Sequence, residues 1–250
     1  MRESYINKFD GWLGINKEIG MSSAKVVNKV KKIMNLKKAG HAGTLDPLAS
    51  GVLPIALGEA TKTMSYAMQT YKAYEFDINW GFATETDDLE GKISNISKVR
   101  PSRNEIIRAL PNFVGNIRQK PPVFSAIKID GIRSYKLARK SITVDIPERE
   151  VFIKNFKLVK SFDENKARFL VECGKGVYIR SLARDLANYL NTYGHISYLK
   201  RLSVGTFLYK DAILLADLAN LVDKAKISKV IKPISFVLDD IPAIDINSDE

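Results

Sequence analysis

Two incompatible periodicities run through this chain, and their order restricts its fold more than any other feature. Between Tyr74 and Trp80 apolar residues alternate strictly. Tyr74, Phe76, Ile78 and Trp80 share one face while Glu75, Asp77 and Asn79 share the other, the period-two pattern of a half-buried strand. Ala167, Phe169, Val171 and Cys173 repeat that pattern, and a further basic strand region is expected over 195–210. Val26, Val27, Val30, Ile33 and Met34 instead recur at helical spacing behind Ser22 or Ser23, either of which can cap a helix. Ser102 and Glu105 form a capping box, ahead of a buried stripe of Ile106, Ile107, Leu110, Phe113 and Val114. Leu182, Leu186 and Leu190 mark another helix over 181–191. A short helix is expected over 59–69, and a glycine-punctuated loop over 40–58. Strands and helices mix without a regular βαβ repeat, so the expected class is α+β rather than a doubly wound sheet.

Charge narrows the partners. Lys and Arg total 39 against 28 Asp and Glu, a net charge of +11, which favours polyanions through phosphate neutralisation and counterion release. The excess is local. From Ile19 to Leu45 there is no acid but there are six lysines, and the helical pattern puts Lys25, Lys29 and Lys32 opposite the apolar face. A solvated lysine face is the plain reading, and a nucleic-acid surface the sharper one. Residues 119–144 carry Pro121-Pro122, Phe124, Tyr135 and six cations, a mixture suited to an arm that grips RNA by phosphate contact and stacking, or to an exposed hairpin without a partner. No run of about 18 apolar residues is present and the N-terminus lacks an apolar signal stretch, so a cytoplasmic protein is expected. One cysteine excludes an internal disulfide, and with two histidines it leaves almost no basis for a zinc site.

Familiar catalytic motifs are absent. There is no phosphate-binding GxxxxGK[ST] loop and no GxSxG elbow, and Gly174-Lys175-Gly176 does not complete a dinucleotide fingerprint. Cys173 sits mid-strand, a position typical of the core. Asp46 stands out as the first acid after Glu18, in a glycine-rich loop between Leu45 and Pro47. Turn chemistry explains an Asp-Pro pair without function. A positioned, ionised carboxylate can equally serve as nucleophile or base without a metal. Spacing does not decide between the two.

The segment Gly40-His41-Ala42-Gly43-Thr44-Leu45-Asp46-Pro47-Leu48-Ala49-Ser50-Gly51-Val52-Leu53 resembles the signature of the bacterial tRNA pseudouridine-55 synthases of the TruB type. Six further matches are spread in order along nearly the whole chain. Lys17 with Gly20-Met21-Ser22-Ser23 is similar to the family's N-terminal motif, with Glu18 where a proline is usual. Lys72-Ala73-Tyr74 resembles the strand bearing the active-site tyrosine. Thr84-Glu85-Thr86-Asp87-Asp88 resembles a T-D-T-x-D turn, and Pro121–Lys128 with Gly131, Tyr135 and Arg139 the RNA-gripping thumb. Gly174–Leu182 resembles the arginine motif, and Tyr198-Leu199-Lys200-Arg201-Leu202 completes the set.

The resemblance implies a pseudouridine synthase fold: a large, mixed, mostly antiparallel central sheet flanked by helices and loops, with a thumb at 119–144. It implies a catalytic domain over 1–240 and, at 241–250, the start of a C-terminal RNA-binding (PUA) domain that is truncated or absent, with weaker tRNA binding and intact chemistry. It further implies that Asp46 is the catalytic aspartate, Arg180 its ion-pair partner, and Tyr74 the residue that stacks on the target base and assists proton transfer. Leu199, His41, Tyr178 and Lys17 are then substrate-binding, His41 supporting the everted loop. Lys25, Lys29, Lys32, Lys128, Arg133, Arg139 and Arg201 become the RNA-binding cations. The implied reaction breaks the N1–C1′ glycosidic bond, turns the freed uracil and joins C5 to C1′, so no metal or cofactor is called for. Attack by Asp46 on the sugar, attack on the base, and removal of a sugar proton each need a close carboxylate and a pocket that retains uracil. The base must first leave its stack, at a cost of a few kcal/mol. The expected partner is the T-arm of tRNA, met by a monomer without protein partners or a membrane. A synthase for another RNA, or an RNA-binding or tRNA-folding protein with incidental catalysis, are the alternatives. The combination of Asp46, Tyr74 and Arg180 argues against pure binding.

Overall fold

The computed structural model describes residues 9–140, 142, 144–223 and 226–238. The expected opening of a further domain at 241–250 lies outside the described residues. The chain forms two compact units, one from Met1–Thr70 with Ser203–Glu250 and the other from Tyr71–Leu202.

In the first unit β1 (Gly11–Lys17) leads into α1 (Ser23–Ile33), β2 (Ala39–His41), β3 (Ser50–Leu57) and α2 (Met64–Gln69). After the second unit the chain returns with β13 (Phe207–Leu208), β14 (Ile213–Leu214) and α6 (Leu215–Asp223). β3 pairs antiparallel with both β1 and β2, and β14 joins β1 in parallel, setting Ile15 beside Ile213. Half of the expected loop over 40–58 is therefore strand. Val52–Leu57 is buried on both faces, so its apolar run is continuous and shows no alternation. Ser22 caps α1 by accepting from the Lys25 amide at 3.2 Å, and Val26, Val27 and Val30 are buried as the spacing requires. Trp12 and Phe207 form the aromatic centre of this core at 5.7 Å, with Phe236 edge-on to Phe207 at 5.0 Å.

In the second unit β4 (Lys72–Trp80) is followed by the hairpin β5 (Phe82–Thr84) and β6 (Ile93–Ile96), then α3 (Arg103–Ala109) and β7 (Gly115–Gln119). The 119–144 segment holds a short hairpin, β8 (Lys128–Ile129) and β9 (Ile132–Arg133), and α4 (Ser134–Ala138). Next come β10 (Arg149–Ser161), β11 (Lys166–Cys173), α5 (Ile179–Tyr189) and β12 (Gly194–Val204). The sheet order in this unit is β12-β4-β11-β10-β7. β4, β11, β10 and β7 pair antiparallel, and Tyr74 lies opposite Val171 and Phe76 opposite Phe169. Phe76, Phe156, Phe169 and Trp80 pack as one aromatic cluster with centroid spacings of 5.6–6.1 Å.

Two expectations need correction here. Ile107 and Val114 are exposed: α3 buries the face of Ile106 and Ala109, which leaves Ile107 outside it, and a 3₁₀ turn buries Leu110 and Phe113 and ends at Val114 in extended backbone. Asp77, assigned to the polar face, is fully buried, and Arg168 holds both its oxygens at 2.6 and 3.0 Å while Lys166 lies at 3.1 Å. Long β10 carries no clean alternation because it is bulged at two places, between Ile153 and Asn155 and between Leu158 and Lys160. At the start of β12, Gly194 is required by packing: a Cβ there would meet Ala187 of α5 at 2.9 Å and Ile78 of β4 at 3.0 Å. Among the described residues no helix is long and apolar enough to cross a membrane.

Candidate active site

Asp46 sits half-buried in the loop between β2 and β3, and the loop is clamped on both sides of it. Before it, the hydroxyl of Ser23 accepts from the Leu45 amide at 2.9 Å and donates to the Leu45 carbonyl at 3.0 Å. After it, the ammonium of Lys17 reaches the Pro47 carbonyl at 3.3 Å, together with the carbonyls of Met21 at 2.8 Å and Glu18 at 2.9 Å. The Gly20 amide donates to the same Pro47 oxygen at 2.8 Å. Lys17 is wholly buried, so the structure corrects its expected contact with substrate: its ammonium ties the turn between β1 and α1 to the loop on which Asp46 is mounted. In the sequence Ser23 was legible as a possible helix cap and as part of the N-terminal motif, not as a clamp on Leu45.

His41 closes β2, half-buried in the same unit as Asp46. On α1, Lys25, Lys29 and Lys32 are exposed as expected. Lys32 also lines an open surface groove of about 400 Å³ with Lys31, Lys37, Asn28 and Leu36.

In the other unit Arg180 lies in the first turn of α5, only 5% exposed. Its guanidinium donates to the Thr86 carbonyl at 2.8 Å and to the Phe124 carbonyl at 3.0 Å, and its Nε is 3.6 Å from Asp88. Asp88 is held in turn: its Oδ1 accepts from Thr86 Oγ1 and from the Glu90 amide, and its carbonyl accepts from Thr84 Oγ1. Gly91 makes this turn possible, since a Cβ would stand 2.6 Å from the Thr86 amide. α5 has no side-chain cap at its N-terminus. Instead buried Gln119 accepts from the Tyr178 amide at 2.8 Å and donates to the Tyr178 carbonyl at 3.1 Å, anchoring the helix start to the end of β7. The Tyr178 ring is half-buried, under the guanidinium of Arg149 at 5.0 Å.

Tyr74 on β4 and Leu199 on the neighbouring β12 are each buried with a small opening to solvent. Lys128, Arg133 and Arg139 are exposed on the 119–144 segment, where they can meet an anion. Arg201 is not available in that way. It is 1% exposed, so the structure removes it from the surface set. Burial, with the Arg201 charge adding to it, pushes nearby Lys72 down to about 8. Burial also pushes the Cys173 thiol up to about 12, which fits a core residue and not a nucleophile.

Comparison with known proteins agrees with the sequence resemblance. The model of the TruB family pseudouridylate synthase N-terminal domain matches residues 31–179, and that of the tRNA pseudouridylate synthase B C-terminal domain matches 180–239. A tRNA pseudouridine synthase B from Anaplasma marginale is 49% identical over 231 residues, 92% of this chain and 75% of the relative. One from Caulobacter vibrioides is 46% identical over 240 residues, 96% of this chain and 77% of the relative. Among solved structures, a chain of a Cbf5-Nop10-Gar1 complex is 28% identical with a TM-score of 0.72, over 91% of this chain and 61% of that one.

Proposed function

The chain belongs to the TruB family of pseudouridylate synthases, and from that membership we infer that it is a tRNA pseudouridine synthase, an isomerase that converts the T-loop uridine-55 of tRNA to pseudouridine. The observation that carries this reading is the match of both family models across residues 31–239. It favours tRNA over another RNA target and catalysis over simple binding.

In the mechanism we propose, the everted uridine enters beside Asp46, whose carboxylate acts on the nucleotide as the glycosidic bond breaks. The clamps from Ser23 and Lys17 support this role, since a loop held on both sides keeps a carboxylate in reacting geometry at little entropic cost. By family resemblance Arg180 is the partner proposed for that carboxylate, a role its planar guanidinium suits because a fixed fork favours bidentate pairing. Tyr74 stacks on the base and assists proton transfer at C5, while Leu199 and Tyr178 wall the pocket so that detached uracil turns without escaping. His41 supports the opened RNA loop. The cations of α1 and of the 119–144 segment hold the phosphates. The enzyme acts in the cytoplasm as a monomer, without a cofactor or protein partner.

The test is incubation with unmodified tRNA and mapping of pseudouridine. Product at position 55 supports the reading. Product elsewhere only, or tRNA binding without product, overturns it.

A further inference from the structure

Arg180 and Arg184 stand one turn apart on α5, and each ties the helix to the same two segments. Arg180 reaches the Thr86 and Phe124 carbonyls. Arg184 donates to the Asp87 carboxylate at 2.9 Å and to the Lys120 carbonyl at 2.7 Å, and Ser181 Oγ donates to that same carbonyl at 2.9 Å. Asp185 also pairs with Arg184, at 2.9 Å. The side chains of α5 thus grip the root of the 119–144 segment on both sides of Pro121-Pro122. Two consecutive prolines have fixed φ and no amide hydrogens, so this root is stiff. Only Pro121, Pro122 and Val123 separate Lys120 from Phe124, whose carbonyl accepts from Arg180. Asp87 has a left-handed backbone at φ 60, an unusual state for a residue with a side chain. Its carboxylate is kept charged there against the cost of burial, which pushes it up to about 6.

We propose that Arg184, braced by Asp87, is a positioning residue that latches the root of the 119–144 segment to α5 and thereby fixes the carbonyl against which Arg180 is aligned. For its catalytic consequence this rests on the function inferred above. An RNA held by the outer part of the segment then pulls on the same short link that sets the arginine, so grip and chemistry are coupled through a few bonds.

Hydrogen exchange on the free full-length chain tests the latch without RNA, so its outcome is separate from that of the isomerase assay. The variants are Arg184→Gln, Asp87→Gly, which keeps the left-handed backbone comfortable, and the two combined. Exchange at the Lys120 amide and across Val123–Ile127 is expected to rise about 5- to 30-fold in each single variant, the factor by which loss of one charged hydrogen bond shifts a local opening equilibrium. The double variant should be no faster than the faster single, because both remove one device. Unchanged protection of β4 and α5 shows that the fold survives. If Arg184→Gln does not fold, Asp87→Gly alone carries the test. Unchanged exchange at the root, or independent effects in the double variant, overturns the latch. With tRNA, Arg184→Gln should lower the single-turnover rate at saturation and leave tRNA affinity unchanged. A loss confined to affinity overturns the coupling to Arg180.

Discussion

The hydroxyl of Ser23 and the backbone of Leu45 form a reciprocal pair, the hydroxyl accepting from the amide at 2.9 Å and donating to the carbonyl at 3.0 Å. Both groups are buried, and Leu45 immediately precedes Asp46. Ser23 therefore fixes where the loop that carries Asp46 passes the start of α1. Ser23→Ala leaves both backbone groups of Leu45 without this partner, and is expected to cost about 1–3 kcal/mol of stability. A shift of the carboxylate by about 1 Å should cost up to about 10²-fold in single-turnover rate, with tRNA affinity preserved. A normal rate in a destabilised Ser23→Ala protein would show that the loop holds Asp46 without this clamp.

Asp46→Asn keeps the size and shape of the side chain and removes its charge. Pseudouridine formation is expected to fall by at least about 10³-fold while tRNA binding is largely retained, since the groups proposed to hold phosphate lie elsewhere. Turnover comparable to wild type in a gel-shift-competent variant would exclude the aspartate from the chemistry.

Arg180→Lys tests the fork. A lysine supplies the charge, but one ammonium does not replace a planar group whose nitrogens meet the Thr86 and Phe124 carbonyls and approach Asp88. The expected result is a single-turnover rate reduced by about 10²-fold or more at saturating tRNA. Near-normal turnover would count against the planar pairing.

Asp87 predicts a particular pH dependence of stability. It is surrounded by Arg184, Arg180 and Asp185 of α5, and burial outweighs the two arginines, leaving it at about 6 against 3.8 when unperturbed. Between those values the folded chain holds a proton that the unfolded chain has lost, so this group's contribution to stability falls as pH rises through the window. Above it the full penalty applies, of order 3 kcal/mol. Asp87→Asn carries no such penalty. Its melting temperature relative to wild type should therefore be higher at pH 7.5 than at pH 5, by a few degrees. A difference that stays constant or reverses across that range would refute the assignment.

The sequence revealed elements wherever one face alone was buried. Tyr74–Trp80, Lys166–Cys173, α1 and α5 follow from alternation or helical spacing because polar residues mark their other face. β3 was misread because it is buried on both faces and carries Gly51 and Pro54, two residues that imitate a loop. β10 was missed because its bulges break the period. At the site, the motif residues were legible, and Asp46 could be singled out by charge before any resemblance was invoked. The supports were not. Ser23, Gln119 and Arg184 act across separations of 22, 59 and 97 residues, and no local pattern announces such a bond. Buried Lys17 and Arg201 mislead in the opposite direction, since a cation in a basic chain reads as surface until its carbonyl partners or its burial are seen.

The first unit is assembled from both ends of the chain, with Ile15 of β1 paired to Ile213 of β14 and Trp12 covered by Phe207. Its N-terminal part is synthesised long before its complement, and at about 5–20 residues per second the wait is roughly 10–40 s. Tyr71–Leu202 contains its own sheet and aromatic cluster and can mature on the ribosome during that interval, whereas Trp12 keeps an uncovered flank until the closing strands emerge. Nascent chains stalled before residue 203 should therefore be the species that chaperones retain, and translation speed through the middle of the message becomes a determinant of yield.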